Sequence, residues 1–349
     1  DYTGGGCPHI LAEPQRTNLA IYSSDFSQWD AFNSASISSN VIISPDGTQN
    51  ADKLIIGLAN TSPFILKNNS ITSGEYYTQT IYAKVGDAEI LQITGSSGFS
   101  TNFQNYNLSN GTLGNNDISG SNTLASIENV GSGWYRCIYT SPATSTGSGR
   151  IIFAIVPEGS SRLGGGGLSF NTGIYIWGAQ VEEASYPTSL IPTSGSTVTR
   201  NQDIFTRDGI GSLINSTEGV LFGEIAALSD DGTNRFISLS DGTSNNFIDF
   251  RLTSNSNQVR CRYYYGTQQS DLYYTLADAT VFNKIAYKWK SGDFALWVNG
   301  VEVATDTSGT TGNDLFNILS FNLSNLASTE FFGKVKQLQV YDTALTDTQ

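Results

Sequence analysis

Histidine is nearly absent from this chain of 349 residues: the single histidine, His9, lies close to the start, just after a Gly- and Pro-containing stretch. A Ser-His-Asp or Cys-His catalytic arrangement within either half of the chain is therefore excluded, as is a zinc site built on histidines. We expect His9 to be a turn residue rather than a ligand. Methionine is absent altogether, which predicts a processed or trimmed piece of a longer protein.

Cysteine is also scarce. The chain has Cys7, Cys137 and Cys261, an odd number at wide spacing. This pattern argues against a disulfide scaffold and against a metal site made of paired cysteines. Cys137 and Cys261 each fall inside an apparent strand, so we expect two buried free thiols.

Basic residues are few. Lys and Arg number 18 against 31 Asp and Glu, which gives a net charge of −13. Nucleic acid is excluded as a partner, because phosphate binding needs a basic surface. No apolar run approaches the ~20 residues that span a bilayer, and the start does not read as a signal peptide. We therefore expect no membrane insertion, and the surplus of acid suits a secreted or particle-borne protein.

Aromatic residues make up 11% of the chain, and Gly, Ser, Thr and Asn fill the gaps between apolar runs. Aromatic and β-branched residues favour strands, whereas small polar residues favour turns. The sequence predicts an all-β fold class with two tandem antiparallel β-sandwiches. We expect an extended leader over residues 1–18, a jelly roll over 19–195 and a second sandwich over 196–349.

Period-two alternation supplies the individual strands. In the second half, residues 283–305 predict a three-strand meander, with Asn299-Gly300 as a two-residue hairpin turn because both positions favour positive φ. Trp29, Trp134 and Trp177 are expected to be packing residues rather than ligands. The main strand predictions are 41–44, 51–56, 64–67, 76–85, 89–94, 133–140, 150–156, 174–182 and 334–341.

The first half resembles a module of bacteriophage tail-fibre and other virion proteins, which implies a carbohydrate-binding-module-like jelly roll. In that family the last strand often carries an acidic pair that helps to hold a structural calcium, but here the corresponding place is Trp177-Gly178. The matching residues are 11–19, Tyr22-Ser23, Phe26, Trp29, 45–48, 51–54, 82–84, 133–137, 174–182, 189–193 and 197–200.

The second half resembles the laminin G-like, concanavalin A-like sandwiches that follow this module in phage fibres. The resemblance implies a homotrimeric virion component. The matching residues are 219–222, 283–286, 291–294, 298–300, 303–304, 333–335 and 341–346.

Catalytic and cofactor sites are not expected. Concanavalin A-like hydrolases use the pattern E-x-D-x-x-E, which does not occur in this chain, and the adjacent pairs Glu182-Glu183 and Asp230-Asp231 do not replace it. The glycine run 164–167 lacks the Lys-Ser/Thr of a phosphate-binding loop. Two loops rich in oxygen ligands, 230–234 and 241–245, suit either a structural calcium or plain polar turns.

The candidate ligand-binding residues are Arg260, Arg262, Tyr264, Tyr273 and Trp297. Arg260, Arg262 and Tyr264 alternate onto the wetter face of one strand, and Tyr273 follows a predicted loop at 266–271. Aromatic rings stack on sugars, and arginines pair with acidic groups. The alternative is that the arginines pack along neighbouring rings and merely cover the sheet. Trp297 alternates away from the core residues of its own strand, so it is either exposed to a ligand or an interface residue in an oligomer.

These observations predict a non-enzymatic virion fibre or appendage component that is extracellular. It would bind host surface polysaccharide and contact other virion proteins, as a homotrimer. Two alternatives stay open. In the first alternative, the chain is a purely structural head-fibre or decoration module. In the second, it is the accessory glycan-binding portion of a secreted polysaccharide-degrading enzyme.

Overall fold

The computed structural model describes residues 8–118, 122–313, 316–324 and 329–346. It confirms the all-β fold class, and the chain divides into two compact units with separate cores. The N-terminal sandwich is Gln15–Asn201, and the C-terminal sandwich runs from Gln202 to Thr346 together with residues 8–14. Cys7 lies outside the described residues. No helix in the described ranges has the length and apolar character needed to span a membrane.

The strands up to residue 201 are β1 Ile10–Ala12, β2 Arg16–Asn18, β3 Asp30–Phe32, β4 Ala35–Ile42, β5 Ala51–Ile56, β6 Phe64–Ile71, β7 Tyr76–Lys84, β8 Ile90–Ser96, β9 Phe103–Asn107, β10 Thr112–Asn116, β11 Leu124–Gly131, β12 Trp134–Pro142, β13 Gly147–Ile155, β14 Gly173–Glu183 and β15 Val198–Arg200. A short 3-10 helix, Phe26–Gln28, precedes β3.

The strands after residue 201 are β16 Thr206–Arg207, β17 Glu218–Ala227, β18 Arg235–Ser240, β19 Asn246–Leu252, β20 Gln258–Tyr265, β21 Thr267–Thr275, β22 Asn283–Lys290, β23 Phe294–Val298, β24 Val301–Asp306, β25 Ile318–Ser320 and β26 Gly333–Tyr341. A second 3-10 helix, Gly211–Leu213, precedes β17.

Two antiparallel sheets form the N-terminal sandwich, in the orders β10-β9-β8-β13-β6-β3 and β11-β12-β7-β14-β5-β4. Alternate side chains of both sheets meet in one buried core, as period two requires. Cys137 is part of this core, and burial raises the pKa of its thiol well above the usual value. A small two-stranded sheet, β15-β2, completes this sandwich.

Loops of the N-terminal sandwich cover much of the outer faces of its own sheets. Residues 160–164 lie on the β8 sheet, where Leu163 N–H donates to Gln92 Oε1 at 2.8 Å. Residues 186–193 lie on the β14 sheet, where Ile191 N–H donates to Gln180 Oε1 at 2.6 Å. Trp177 is consequently only 7% exposed, although it points away from the main core. The prediction that it is a packing residue is confirmed, as it is for Trp29 and Trp134.

Two further antiparallel sheets form the C-terminal sandwich. We call them sheet 1, in the order β1-β26-β17-β22-β23-β24, and sheet 2, in the order β16-β25-β18-β19-β20-β21. Leu221, Ile285 and Tyr287 of sheet 1 pack against Ile248 and Phe250 of sheet 2 in a continuous core. Cys261 is buried in this core, and burial raises the pKa of its thiol.

The meander predicted at 283–305 is confirmed by the pairing of β22 with β23 and of β23 with β24. Asn299 has φ 51° and Gly300 has φ 85°, as a two-residue turn of this kind requires. The strand predicted at 51–56 is β5.

Two local predictions are wrong. The strand expected at 41–44 instead spans Ala35–Ile42, an edge strand whose polar sequence hides its alternation. The loop expected at 266–271 is a tight turn, because Gly266 adopts φ 66° and β21 resumes at Thr267. The segment treated as an extended leader supplies β1, which pairs with β26, and β2, which pairs with β15.

Candidate ligand-binding site

The structure separates the five predicted ligand-binding residues into two groups. Arg260, Arg262, Tyr264 and Tyr273 lie on the outer face of sheet 2, where Arg260 stands opposite Tyr273 in the register of β20 and β21. Trp297 lies on the outer face of sheet 1, on β23. The two groups therefore belong to opposite faces of one sandwich and cannot form a single site.

Arg262 is held by neighbours on its own face. Its Nη2 donates to Asp249 Oδ2 at 2.7 Å, and that carboxylate is 0% exposed. The guanidinium also lies over the rings of Phe247 and Tyr264, at 5.0 and 5.2 Å from their centroids. The two rings stack on each other at 4.5 Å. This is the arrangement expected of an arginine that covers its sheet.

Arg260 also has a carboxylate partner on its own face. Its Nε donates to Asp271 Oδ1 at 2.6 Å, and its Nη2 donates to the second carboxylate oxygen. The hydrogen bond to Asp271 raises the pKa of Arg260. Tyr273 beside it is 62% exposed. Sheet 2 thus presents an open aromatic ring, but both of its predicted arginines already have carboxylate partners.

A groove of about 450 Å³ surrounds Trp297 on the outer face of sheet 1. In the strand register, Phe222 of β17 lies opposite Ala286 of β22, and Ala286 lies opposite Trp297 of β23. Neighbouring strands are about 4.8 Å apart, so the backbones of Phe222 and Trp297 are about 10 Å apart. Phe222 and Trp297 are both half-buried, and Ala286 forms the floor between them. We call this part of the groove the Ala286 slot.

Polar groups with unused hydrogen-bonding capacity surround the Ala286 slot. Two groove residues are already engaged: Lys288 is bonded to Asp293 at 2.8 Å, and Gln339 accepts a hydrogen bond from Tyr341. The Trp297 indole N–H, the Gln337 amide and the Lys284 ammonium have no bonding partner among the described residues. These donors face a groove with an aromatic wall on two sides, a combination typical of small-ligand sites.

Of the groove residues named here, Trp297 alone was predicted as ligand-binding; Phe222, Lys284, Ala286 and Gln337 were not. The sequence does carry one signal for this groove. Lys284, Ala286 and Lys288 alternate with the core residues of β22, which places these three residues on the outer face of the sheet. Their neighbours come from strands that are distant in the sequence.

The two oxygen-rich loops are occupied by the chain's own donors. Asp231 Oδ1 accepts a hydrogen bond from Arg235 Nη2 at 2.7 Å, and Asp241 Oδ1 accepts one from Thr243 N–H at 2.8 Å. Within the described ranges, no group of three or more His, Cys, Asp or Glu residues is placed to hold a metal ion. His9 packs edge-on against Phe282, with ring centroids 5.4 Å apart.

Residues 225–349 match a laminin G family model described as the concanavalin A-like lectin/glucanases superfamily. The C-terminal sandwich therefore has a laminin G-like, concanavalin A-like fold. None of the curated proteins matches the chain.

Two solved structures are among those to which the chain is similar. Sheep galectin-11 in complex with glycerol is 8% identical, covers 40% of this chain and 97% of its own, and has a TM-score of 0.27. Domains LG4-5 of the mouse laminin α1 chain are 11% identical, cover 82% of this chain and 88% of their own, and have a TM-score of 0.28. At such values neither structure says anything about a ligand of this chain.

Proposed function

We propose that this chain is a non-enzymatic binding protein whose C-terminal sandwich holds carbohydrate in the Ala286 slot. The observation that carries the proposal is the slot itself, in which Phe222 and Trp297 flank a small floor residue beside donors that have no partner within the described structure. The family description, concanavalin A-like lectins and glucanases, supports the same class of ligand.

The dimensions of the slot suit a sugar ring. Carbohydrate-binding sites place an aromatic ring against the apolar face of a pyranose, while a few polar groups fix the hydroxyls. Two such contacts at about 3.5–4.0 Å each need about 7–8 Å between the two rings, and the backbones that carry Phe222 and Trp297 are about 10 Å apart. The Trp297 indole N–H and the Gln337 amide supply donors to hydroxyl groups.

The lining of the groove supports binding without turnover. Hydrolysis of a glycosidic bond needs two carboxyl groups on either side of the bond. The described residues that line this groove include no Asp or Glu. Two carboxylates lie close in the register but not in the lining: Glu224 is bonded to Lys336 at 3.1 Å, and Glu302, which pairs with Trp297, is exposed on the edge strand β24.

We further propose that the protein is an extracellular virion fibre or appendage component and that its ligand is host surface polysaccharide. The resemblance of the first half to phage tail-fibre modules supports this context. The N-terminal sandwich suits a platform role there, because its own loops occupy much of both outer faces. Homotrimer formation and contacts with other virion proteins belong to the same proposal.

The outer face of sheet 2 is the second candidate site. Tyr273 is exposed beside Arg260, and Arg262 and Tyr264 continue the same surface. We place it second because Asp271 and Asp249 already neutralise these arginines.

A bacterial glycan array with three forms of the purified chain tests the proposal. The wild type and Tyr273→Ala should bind the same glycans, whereas Trp297→Ala should lose about fivefold to a hundredfold in affinity, since stacking of a nucleobase on an aromatic side chain contributes about 1–3 kcal/mol and a sugar face makes a contact of the same kind. Loss of binding in Tyr273→Ala alone would move the site to sheet 2. No binding by the wild type to any glycan would contradict the function and favour a purely structural module.

A further inference from the structure

We propose that the Ala286 slot selects acidic sugars, and that Lys284 is the residue that pairs with the sugar carboxylate. This inference rests on the proposed carbohydrate-binding function and deepens it by naming the ligand class. It depends on the placement of Lys284, a cation of the groove lining that has no carboxylate partner among the described residues.

Lysines concentrate on the strands that frame the groove, and most of them are already paired. Lys288 is bonded to Asp293, Lys290 to Glu218 and Lys336 to Glu224, at 2.8, 3.0 and 3.1 Å. Lys284 differs: its side chain is exposed at the groove and lies within 4 Å of no carboxylate of the described residues. Such an ammonium is a donor of charge-assisted hydrogen bonds that the fold itself does not use.

The register places Lys284 at one end of the slot. It lies two residues from Ala286 on the same face of β22, about 6.7 Å away along the strand. The carboxylate directly opposite in the register, Glu224, is directed to Lys336 instead. A sugar ring over Ala286 would therefore meet aromatic groups on two sides and a cation at one end.

The backbone around Lys284 is fixed. Its N–H donates to Asn299 Oδ1 at 2.9 Å, and its carbonyl accepts from Asn299 N–H at 2.8 Å. These two bonds tie the residue to the hairpin turn between β23 and β24. Only the side chain has to be ordered when a ligand binds, which limits the entropy lost on binding.

The ligand chemistry follows from these positions. A hexuronate or sialic acid-type residue presents an apolar ring face for stacking and a carboxylate at the edge of the ring. The chain as a whole carries a net charge of −13, which repels polyanions at long range. Recognition of an acidic glycan must therefore come from short-range contacts, and we expect it to be centred on Lys284.

The test compares acidic oligosaccharides with their own carboxyl-reduced forms. Galacturonate, glucuronate, mannuronate and sialic acid oligomers are printed beside their reduced counterparts and probed with wild type, Lys284→Gln and Lys290→Gln. At least one acidic oligomer should bind wild type more tightly than its reduced form, by about tenfold to a hundredfold for a hydrogen bond to a charged group. Lys284→Gln should abolish this preference, and Lys290→Gln, outside the groove, should retain it.

The outcomes separate this inference from the function on which it rests. Equal binding of acidic and reduced forms, or an unchanged preference in Lys284→Gln, overturns the role of Lys284. If Trp297→Ala still loses binding to neutral glycans in that case, the carbohydrate-binding function stands. If the wild type binds neutral glycans but no acidic oligomer, the acidic preference is likewise overturned.

Discussion

Ala286 lies directly opposite Trp297 in the register of β22 and β23, and the small side chain keeps the floor of the groove open. Ala286→Leu should fill the slot and abolish glycan binding, because its isobutyl group would occupy the space between Trp297 and Phe222. Ala286→Ser, which adds only a hydroxyl group, should bind glycan nearly as tightly as the wild type does. Affinity measured by isothermal titration checks both variants, and full binding by Ala286→Leu would rule out the slot.

Asp249 and Asp271 should differ sharply in their contribution to stability. Asp249 is fully buried between Arg262 and Arg251, so Asp249→Ala leaves buried guanidinium charge without a partner and should cost on the order of 3–5 kcal/mol. Asp271→Ala breaks a partly exposed pair with Arg260 and should cost about 0–1 kcal/mol. Urea unfolding measures both free energies, and a loss of only about 0–1 kcal/mol in Asp249→Ala would contradict a structural role for its pairs with Arg262 and Arg251.

Thr188 anchors residues 186–193, the segment that covers the outer face of the β14 sheet. Its hydroxyl and its N–H both donate to the buried carboxylate of Glu182, the N–H at 3.0 Å. Thr188→Val keeps the volume but leaves a buried carboxylate oxygen short of a donor, so the free energy of unfolding should fall by about 1–3 kcal/mol. Thr101→Val, an exposed site in the same sandwich, should change stability by less than about 0.5 kcal/mol. Equal effects of the two variants would show that the hydrogen bonds from Thr188 to Glu182 do not stabilise the sandwich.

Asp46 should make stability depend on acid pH. Slight burial acts to raise its pKa, but hydrogen bonds from Ser44, Thr48 and Asn50 outweigh this and lower the pKa to about 2. Because the pKa is below the ordinary value of 3.8, the unfolded chain takes up the proton first. The stabilisation is therefore present above about pH 4 and is lost as the pH falls towards 2.

The matching variant is Asp46→Asn. It should be less stable than wild type at pH 7, and the difference should shrink between about pH 4 and pH 2. Denaturant midpoints recorded across this range provide the measurement. A difference that stays constant with pH would mean that the carboxylate contributes nothing through its charge.

The sequence was sufficient to predict strands with one buried face. Tyr77 and Ile81 of β7, and Ile285 and Tyr287 of β22, alternate because they fill the two cores. Some strands that escaped prediction are edge strands such as β10, whose residues are all exposed and carry no alternation. The inner strands β9, β18 and β19 were not predicted either, and nearly all of their residues are buried on both faces. Alternation of apolar and polar residues marks a strand with one buried face, so strands with no buried face or with two buried faces show little of it.

The candidate site was predicted only in part, for a reason of topology. The alternation within β23 was enough to turn Trp297 away from the core. The partners of Trp297 across the slot come from β22 and from β17, which begins more than 70 residues earlier in the sequence. The arginines of β20 were predicted to be open to ligand because their carboxylate partners, Asp249 and Asp271, belong to the neighbouring strands β19 and β21. Pairing between strands is a non-local property that local patterns do not encode.

The most direct measurement follows the tryptophan indole N–H resonances while a bound oligosaccharide from the array is titrated into ¹⁵N-labelled protein. Trp29, Trp134, Trp177 and Trp289 are each at most 7% exposed, whereas Trp297 borders the groove. We expect the resonance that disappears in Trp297→Phe to shift on titration while the other four stay in place. A glycan that binds without moving that resonance would contradict the Ala286 slot as the binding site.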